Sequence, residues 1–236
     1  MNLILLFEED FISPHRVHLT GRRFEHIKSI LQVQAGRELA VGKINGLIGQ
    51  GKVLNLSKDS LRMEVCFKQK PPKPLDVTLI MALPRPNVLK RTLVCAASLG
   101  IKKIYILNFF RVDKSLWNSS ALRKETIREQ LILGLEQAKD TLMPRVFLQK
   151  RFKPFVQDKL PSLIKGMVAL AAHPDAAEPC PRALKKKVAL VIGPEGGMVD
   201  YEIEQLIQAG FQTIDLGPRI LRFESVLPYI IGRIQP

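Results

Sequence analysis

The residue types and spacings in this 236-residue chain that could support chemistry fall in two glycine-containing loops. The first is Gly193-Pro194-Glu195-Gly196-Gly197, set between the apolar run Val188-Ala189-Leu190-Val191-Ile192 and a helix expected to open near Asp200. A glycine-rich turn at the carboxyl end of a buried strand lets a ligand approach the main chain, and open α/β sheets bind nucleotide-like molecules at such places. The loop is neither of the familiar phosphate cradles, because it lacks both GxGxxG and GxxxxGK followed by Ser or Thr. Glu195 would repel a pyrophosphate, whereas a carboxylate tolerates a cationic ligand or accepts a hydrogen bond from a ribose or amine. That chemistry suits a sulfonium such as S-adenosylmethionine (SAM) better than NAD or ATP. Taken alone, the loop is equally compatible with a plain tight turn between strand and helix.

The second loop, Leu216-Gly217-Pro218-Arg219-Ile220-Leu221-Arg222, follows a short strand expected at 213–216 and leads into a helix with Arg222 and Glu224 near its start. Two such loops after two strands can form opposite walls of one pocket. For Arg222 and Glu224 the alternative is a surface ion pair of little energy. His173 stands before Pro174 at another expected strand end, where a lone histidine more often stabilises a loop than catalyses a reaction. The remaining histidines and the three cysteines (Cys66, Cys95, Cys180) show no metal-ligand spacing, so neither a metal site nor a disulfide framework is expected. Trp117, Phe109 and Phe110 could stack on a nucleobase, but core packing is the expected use.

These loops need a scaffold, and the chain supplies it in two parts. Lys70-Pro71-Pro72-Lys73-Pro74 concentrates prolines that neither continue a helix nor donate to a central ladder, so 71–74 reads as a linker. Residues 1–70 read as a small β-rich domain, with short strands over 37–67 separated by Gly42, Gly46, Gly49 and Gly51 and one helix near 21–33. Within it Leu61, Met63, Val65 and Phe67 alternate with Arg62, Glu64, Cys66 and Lys68, the period of a half-buried strand. Residues 75–236 change to apolar runs at 77–83, 101–107, 167–172, 188–192 and 213–216, without in-and-out alternation. That pattern predicts strands buried on both faces of a parallel sheet covered by helices, an α/β domain. Val88, Leu89, Leu93, Val94 and Ala97 mark one helical face ending at Gly100, and Leu122, Ile127, Leu131, Ile132, Leu135 and Ala138 mark another after Ser119-Ser120. The segment 175–187, with Pro179, Pro181 and a basic run, reads as a loop.

Charge points to the partner. A net charge of +14, spread over both sides of the linker, sets up a positive field that attracts a polyanion. Nucleic acid is therefore the leading partner class. The apolar start Leu3-Ile4-Leu5-Leu6-Phe7 runs straight into Glu8, Glu9 and Asp10, which is wrong for a signal peptide. No apolar run approaches the roughly 20 residues of a membrane helix. No membrane association and a cytoplasmic location are expected.

The string Ile192-Gly193-Pro194-Glu195-Gly196-Gly197, then Glu202-Ile203, Gly210-Phe211 and Leu216-Gly217-Pro218-Arg219-Ile220-Leu221-Arg222 with Glu224, resembles the C-terminal signature of RsmE-type methyltransferases of the SPOUT superfamily. Arg85, Leu99-Gly100-Ile101, Glu136-Gln137 and Ala172-His173-Pro174 resemble further positions of that family. The resemblance implies a SPOUT-type parallel sheet with a C-terminal trefoil knot, preceded by a PUA-like RNA-binding β-barrel, in a homodimer that holds SAM at the knot. It also implies methylation of N3 of a uridine in 16S ribosomal RNA, either free or within the small ribosomal subunit. On this reading Ala172, His173, Ile192, Gly193, Glu195, Gly196, Leu216, Gly217, Ile220 and Leu221 hold the cofactor. Arg222 and Arg85 would stabilise the uridine anion, and Glu224 would take its proton.

The chain departs from the family at Cys95 and Ser98, where the family usually shows lysine and glutamate, at Val88, and at Phe223, which interrupts an Arg-Thr-Glu-Thr pattern. Two alternatives therefore stay open: a SPOUT methyltransferase acting on another RNA site, and a catalytically weak RNA-binding or ribosome-assembly protein.

Overall fold

The computed structural model describes residues 2–31 and 33–235. The chain forms two compact units, one made of Met1–Lys73 with Ile132–Met143 and the other of Pro74–Leu131 with Pro144–Pro236.

In the first unit, β1 (Ile4–Leu6), β2 (Phe11–Ser13), β3 (Arg16–Leu19), β4 (Glu38–Lys43), β5 (Ile48–Leu56) and β6 (Leu61–Gln69) form one sheet in the order β1-β4-β5-β6-β3-β2. Strand β1 is parallel to β4, and the other pairs are antiparallel. The alternation in β6 takes effect as burial: Leu61, Met63 and Val65 are in the core while Arg62, Glu64 and Cys66 are exposed. Phe24 of α1 (Gly21–His26) joins that core together with Ile4, Leu6, Val17 and Val41. The apolar start is continuous because β1 is buried on both faces. Ile4 and Leu6 face the sheet's own core, while Leu3, Leu5 and Phe7 pack with Ile132 and Leu135.

The glycines read as separators of strands correct that reading at three positions. Gly42 lies inside β4, and Gly49 and Gly51 lie inside β5. Gly49 stands at a register shift where a Cβ would collide with the carbonyl oxygen of Cys66, so no other residue fits without moving the strand.

The second unit is the α/β part. Strands β7 (Leu75–Ala82), β8 (Ile101–Leu107), β9 (Arg145–Gln149), β10 (Val168–Ala172), β11 (Val188–Ile192) and β12 (Gln212–Ile214) form a sheet in the order β12-β10-β11-β7-β8-β9, parallel at every pairing. The central strand β11 is buried at every residue. Its helices are α2 (Pro86–Ser98), α3 (Lys124–Ala138), α4 (Phe152–Pro154), α5 (Leu160–Leu163), α6 (Asp200–Gln208) and α7 (Phe223–Ile234), the residues of α3 from Ile132 onward belonging to the first unit. Strand β9 escapes the sequence pattern because it is an edge strand whose Arg145, Phe147 and Leu148 are exposed. Strand β12 ends at Ile214 rather than 216. Asp215 leaves the ladder to pair with the 175–187 segment, its N–H donating to Glu178 O at 2.7 Å and its carbonyl accepting Cys180 N–H at 2.9 Å. That segment is irregular, as read, but it is stitched down: Ala183 N–H and Leu184 N–H donate to the carbonyls of Arg233 and Ile234.

Among the described residues no helix is long and apolar enough to cross a membrane, and no three His, Cys, Asp or Glu gather to hold a metal.

Two arginines in α1 secure the first unit. Arg23 grips Asp10 through both guanidinium nitrogens and also donates to Leu5 O at 2.8 Å. Arg22 meets Glu136 at 3.0 Å; that carboxylate is 1% exposed, and its burial outweighs Arg22 and raises its pKa. A carboxyl whose folded-state pKa is raised stabilises the fold most at low pH, where it is protonated in both states, and loses that contribution as pH rises. Arg22→Ala removes the compensating cation and is expected to cost about 1–3 kcal/mol at neutral pH. The cost should shrink towards zero below the ordinary carboxylate range, which urea unfolding of both proteins at several pH values would measure.

Candidate functional site

Parallel pairing in register brings three strand ends together. Ala172 at the end of β10 stands opposite Ile192 of β11 on one side and Ile214 of β12 on the other. The chains leave the sheet side by side, and the loops that follow enclose a cavity of about 820 Å3. Ala172 and His173 line it from the first loop; Ile192, Gly193, Glu195 and Gly196 from the second; Leu216, Gly217, Ile220 and Leu221 from the third. Every residue assigned to the cofactor from sequence thus lies on one wall or another of a single cavity.

The turns are set locally. Gly197 (φ 80°) and Gly217 (φ 106°) occupy the left-handed region that favours glycine. Gly197 N–H closes the first turn on Pro194 O at 2.8 Å, and the Asp215 carboxylate accepts Gly217 N–H at 2.9 Å. At Gly193 the constraint is space, since a Cβ would lie 2.7 Å from Met198 Cγ. His173 acts as a loop stabiliser: its N–H donates to Ile214 O at 3.0 Å, and its Nδ1 accepts Asp175 N–H at 3.2 Å. The wall carries Asp175, Glu195 and Asp215 against Arg219 and His173, between apolar patches from Ile192, Leu216, Ile220 and Leu221. Acid-leaning walls with few cations disfavour a polyphosphate and accept a cationic ligand.

The residues assigned to catalysis stand at the edge of the cavity rather than on its wall. Arg85 N-caps α2 and its Nε lies 3.4 Å from Glu195 Oε2, so it holds the glycine loop. Glu224 pairs at 3.4 Å with Arg91 of α2 and not with Arg222, so the alternative of an ion pair between Arg222 and Glu224 is not what forms. Arg222 is exposed at the N-cap of α7, between Leu221 and Phe223, both of which line the cavity. With Arg85 and Arg91 well exposed, each pair adds at most about 1 kcal/mol. Of the family departures, Phe223 forms part of the cavity wall and is buried, whereas Cys95 and Ser98 are on α2 away from the wall. Burial raises the pKa of the Cys95 thiol.

Sequence reasoning missed one residue that holds the site, Arg111, and named another, Glu202, only as part of the family string. Arg111 donates to Gly196 O from a loop 85 residues earlier, a contact no local pattern announces. Glu202, 2% exposed, accepts Val199 N–H at 3.0 Å at the start of α6 and Phe110 N–H at 2.6 Å. Neither partner was announced by the sequence, since Val199 is not the Ser or Thr that marks a capping box and Phe110 is distant in the chain. The core-packing expectation holds for Phe109, which is buried against Phe152 with ring centroids 5.0 Å apart, but not for Phe110, which is 81% exposed. Trp117 is half-buried and donates to Asn108 Oδ1 at 2.7 Å.

With this geometry, comparisons with known proteins agree on one family. A family model described as an RNA methyltransferase domain matches residues 71–235. A relative in Treponema pallidum, ribosomal RNA small subunit methyltransferase E, is 28% identical over 95% of this chain and 87% of its own length. A similar fold is found in the ribosomal RNA small subunit methyltransferase E of Neisseria gonorrhoeae, solved bound to S-adenosyl methionine, with a TM-score of 0.76, 23% identity, and coverage of 98% of this chain and 96% of that one. A Legionella pneumophila protein solved in complex with SAM has a TM-score of 0.77 at 22% identity, with 98% and 96% covered.

Removing Glu202 leaves two main-chain donors without their acceptor. Glu202→Ala is expected to lower stability by about 2–6 kcal/mol, nearer the lower end because both donors are only part-buried, since each unsatisfied buried donor costs about 1–3 kcal/mol. Glu202→Gln, which keeps one good acceptor, should fall between the two in guanidinium unfolding.

Proposed function

The chain belongs to the RNA methyltransferase family, and on that premise we propose that it methylates N3 of a uridine in small-subunit (16S) ribosomal RNA, with SAM as methyl donor. The observation that carries this reading is the cavity at the ends of β10, β11 and β12, whose lining suits SAM on three counts. Its size is that of a small-molecule pocket. Its glycine turns leave main-chain groups open to a ligand, and its acids outnumber its cations, as a sulfonium requires and a dinucleotide does not.

In this reading the main chain at Ile192, Gly193, Gly196, Leu216, Ile220 and Leu221 grips the adenosine and methionine parts, and Ala172, His173, Glu195 and Gly217 complete the wall. SAM, when bound, would supply an electrophilic methyl group on a positively charged sulfur, the electron pair of the broken S–C bond staying on that sulfur. The N3–H of the uridine imide must leave as the N3–C bond forms. Glu224 takes that proton while Arg222 and Arg85 stabilise the negative charge developing on the ring. Arg91 fixes the carboxylate of Glu224, and Glu195 fixes Arg85. Most of the acceleration then comes from holding the reacting atoms in line.

The same reading extends to the rest of the molecule. The six-stranded unit serves as a PUA-like RNA-binding barrel, which its antiparallel pairings and net positive charge support. The chain after β11 is threaded as a trefoil knot. The protein works as a homodimer, a role that suits Ile220, an aliphatic side chain left 88% exposed in the third loop. It acts in the cytoplasm on 16S RNA or on the small subunit, without a metal.

The experiment is methyl transfer from labelled SAM to small ribosomal subunits, protein-free 16S RNA and transfer RNA, followed by nucleoside mass spectrometry. The expected product is 3-methyluridine in the small-subunit RNA alone. Label in transfer RNA instead would mean another RNA site. No SAM binding by calorimetry at millimolar ligand would leave an RNA-binding protein without the activity. Gly193→Trp should abolish SAM binding while far-ultraviolet dichroism, which reports the backbone and not the added indole, stays native. Arg222→Ala should lower kcat about 10²-fold or more, the loss seen when one charge-stabilising group is removed, with SAM affinity within about twofold of wild type.

A further inference from the structure

A second cavity, of about 560 Å3, opens near the carboxyl ends of β8 and β9, lined by Asn108, Phe109, Phe110, Phe152, Val199 and Tyr201, with Lys150, Arg151 and Lys153 among its other residues. We propose that this groove binds a nucleotide flanking the target uridine, its base stacked on Phe110 and its phosphates held by Lys150, Arg151 and Lys153. The inference rests on the methyltransferase reading and adds to it the path of the RNA beyond the reacting base.

Four observations carry it. Phe110 is 81% exposed although its neighbour Phe109 is fully buried, and its backbone is pinned by Glu202, so the ring is displayed on a fixed support. Tyr201, 46% exposed at the start of α6, gives the groove a second ring. Lys150, Arg151 and Lys153 are all exposed beside these rings, while Glu202, the one acid among the described residues that line the groove, has both oxygens engaged by main-chain N–H groups. Finally, the residue after Phe110 is Arg111, which donates to Gly196 O on the cofactor loop, so one short segment borders both cavities. Aromatic faces flanked by cations bind single-stranded nucleic acid by stacking, with little regard to sequence. A base extruded from folded RNA leaves its neighbours unstacked, and Phe110 offers one of them a new partner.

The test measures binding of a fluorescein-labelled ten-residue oligouridylate by anisotropy, across a salt series, to the full-length protein. Phe110→Ala alters only an exposed side chain and should weaken binding roughly five- to hundredfold, the loss expected for one stacked base. The triple change Lys150→Gln, Arg151→Gln, Lys153→Gln should flatten the slope of log K against log salt by about 2, near 0.7 per lost phosphate contact. As a control, Lys185→Gln, Lys186→Gln, Lys187→Gln removes equal charge ahead of β11, at the opposite end of the sheet, and should leave affinity and slope nearly unchanged. Unchanged binding in Phe110→Ala, or a control triple that acts as strongly as the groove triple, would overturn the groove. SAM titration of the same proteins separates this from the methyltransferase reading. Normal SAM binding with an unaffected oligonucleotide defeats the groove alone, and absence of SAM binding in the wild type defeats the reading beneath it.

Discussion

The register of β10 against both its neighbours is the constraint on which the site rests. Because Ala172 is level with Ile192 on one side and Ile214 on the other, three loops leave the sheet at one height and close over the same volume. A slip of one residue in either pairing would turn every side chain of the slipped strand to the opposite face. It would also raise or lower one wall of the cavity by a residue's length, about 3.3 Å. The burial of β11 at all its residues holds that register, since none of its side chains could be exposed without losing apolar contact.

Above the sheet, the loops owe their shape to polar contacts more than to packing. Glu202 is the central one: a buried carboxylate whose two oxygens tie the start of α6 to the 108–112 segment. The same segment sends Arg111 to Gly196, and α2 sends Arg85 to Glu195. The glycine loop is thereby held from two directions by side chains distant in sequence. This preorganisation matters more than the small energy of each exposed pair, because a loop fixed before the ligand arrives need not be ordered on binding.

Much of this was legible in the chain and some could not have been. Buried parallel strands announce themselves as unbroken apolar runs, so β7, β8, β10 and β11 were readable, and so were the two glycine loops after β11 and β12. Strand β9 was not, because an exposed edge strand has the composition of a loop. Gly49 misled for a physical reason: a glycine demanded by close approach to Cys66 O looks, in sequence, like a glycine demanded by a turn. The cavity residues were found because a ligand loop is a contiguous string, whereas Arg111 and the pairing of Glu224 with Arg91 depend on tertiary contact alone. Phe109 and Phe110 make the same point at closer range. They are identical and adjacent in sequence, and only the fold decides that one is core and the other surface.

The electrostatics divide in a way that composition alone conceals. A net charge of +14 would suggest cations everywhere a ligand binds, yet the cavity at the strand ends collects Asp175, Glu195 and Asp215 and little positive charge to offset them. The cations stand instead at its rim, as Arg85, Arg91 and Arg222, and along the neighbouring groove, as Lys150, Arg151 and Lys153. A cationic methyl donor and a polyanionic acceptor are opposite demands on a single site, and one uniform field would favour one at the expense of the other. Placing the acids inside and the cations outside serves both.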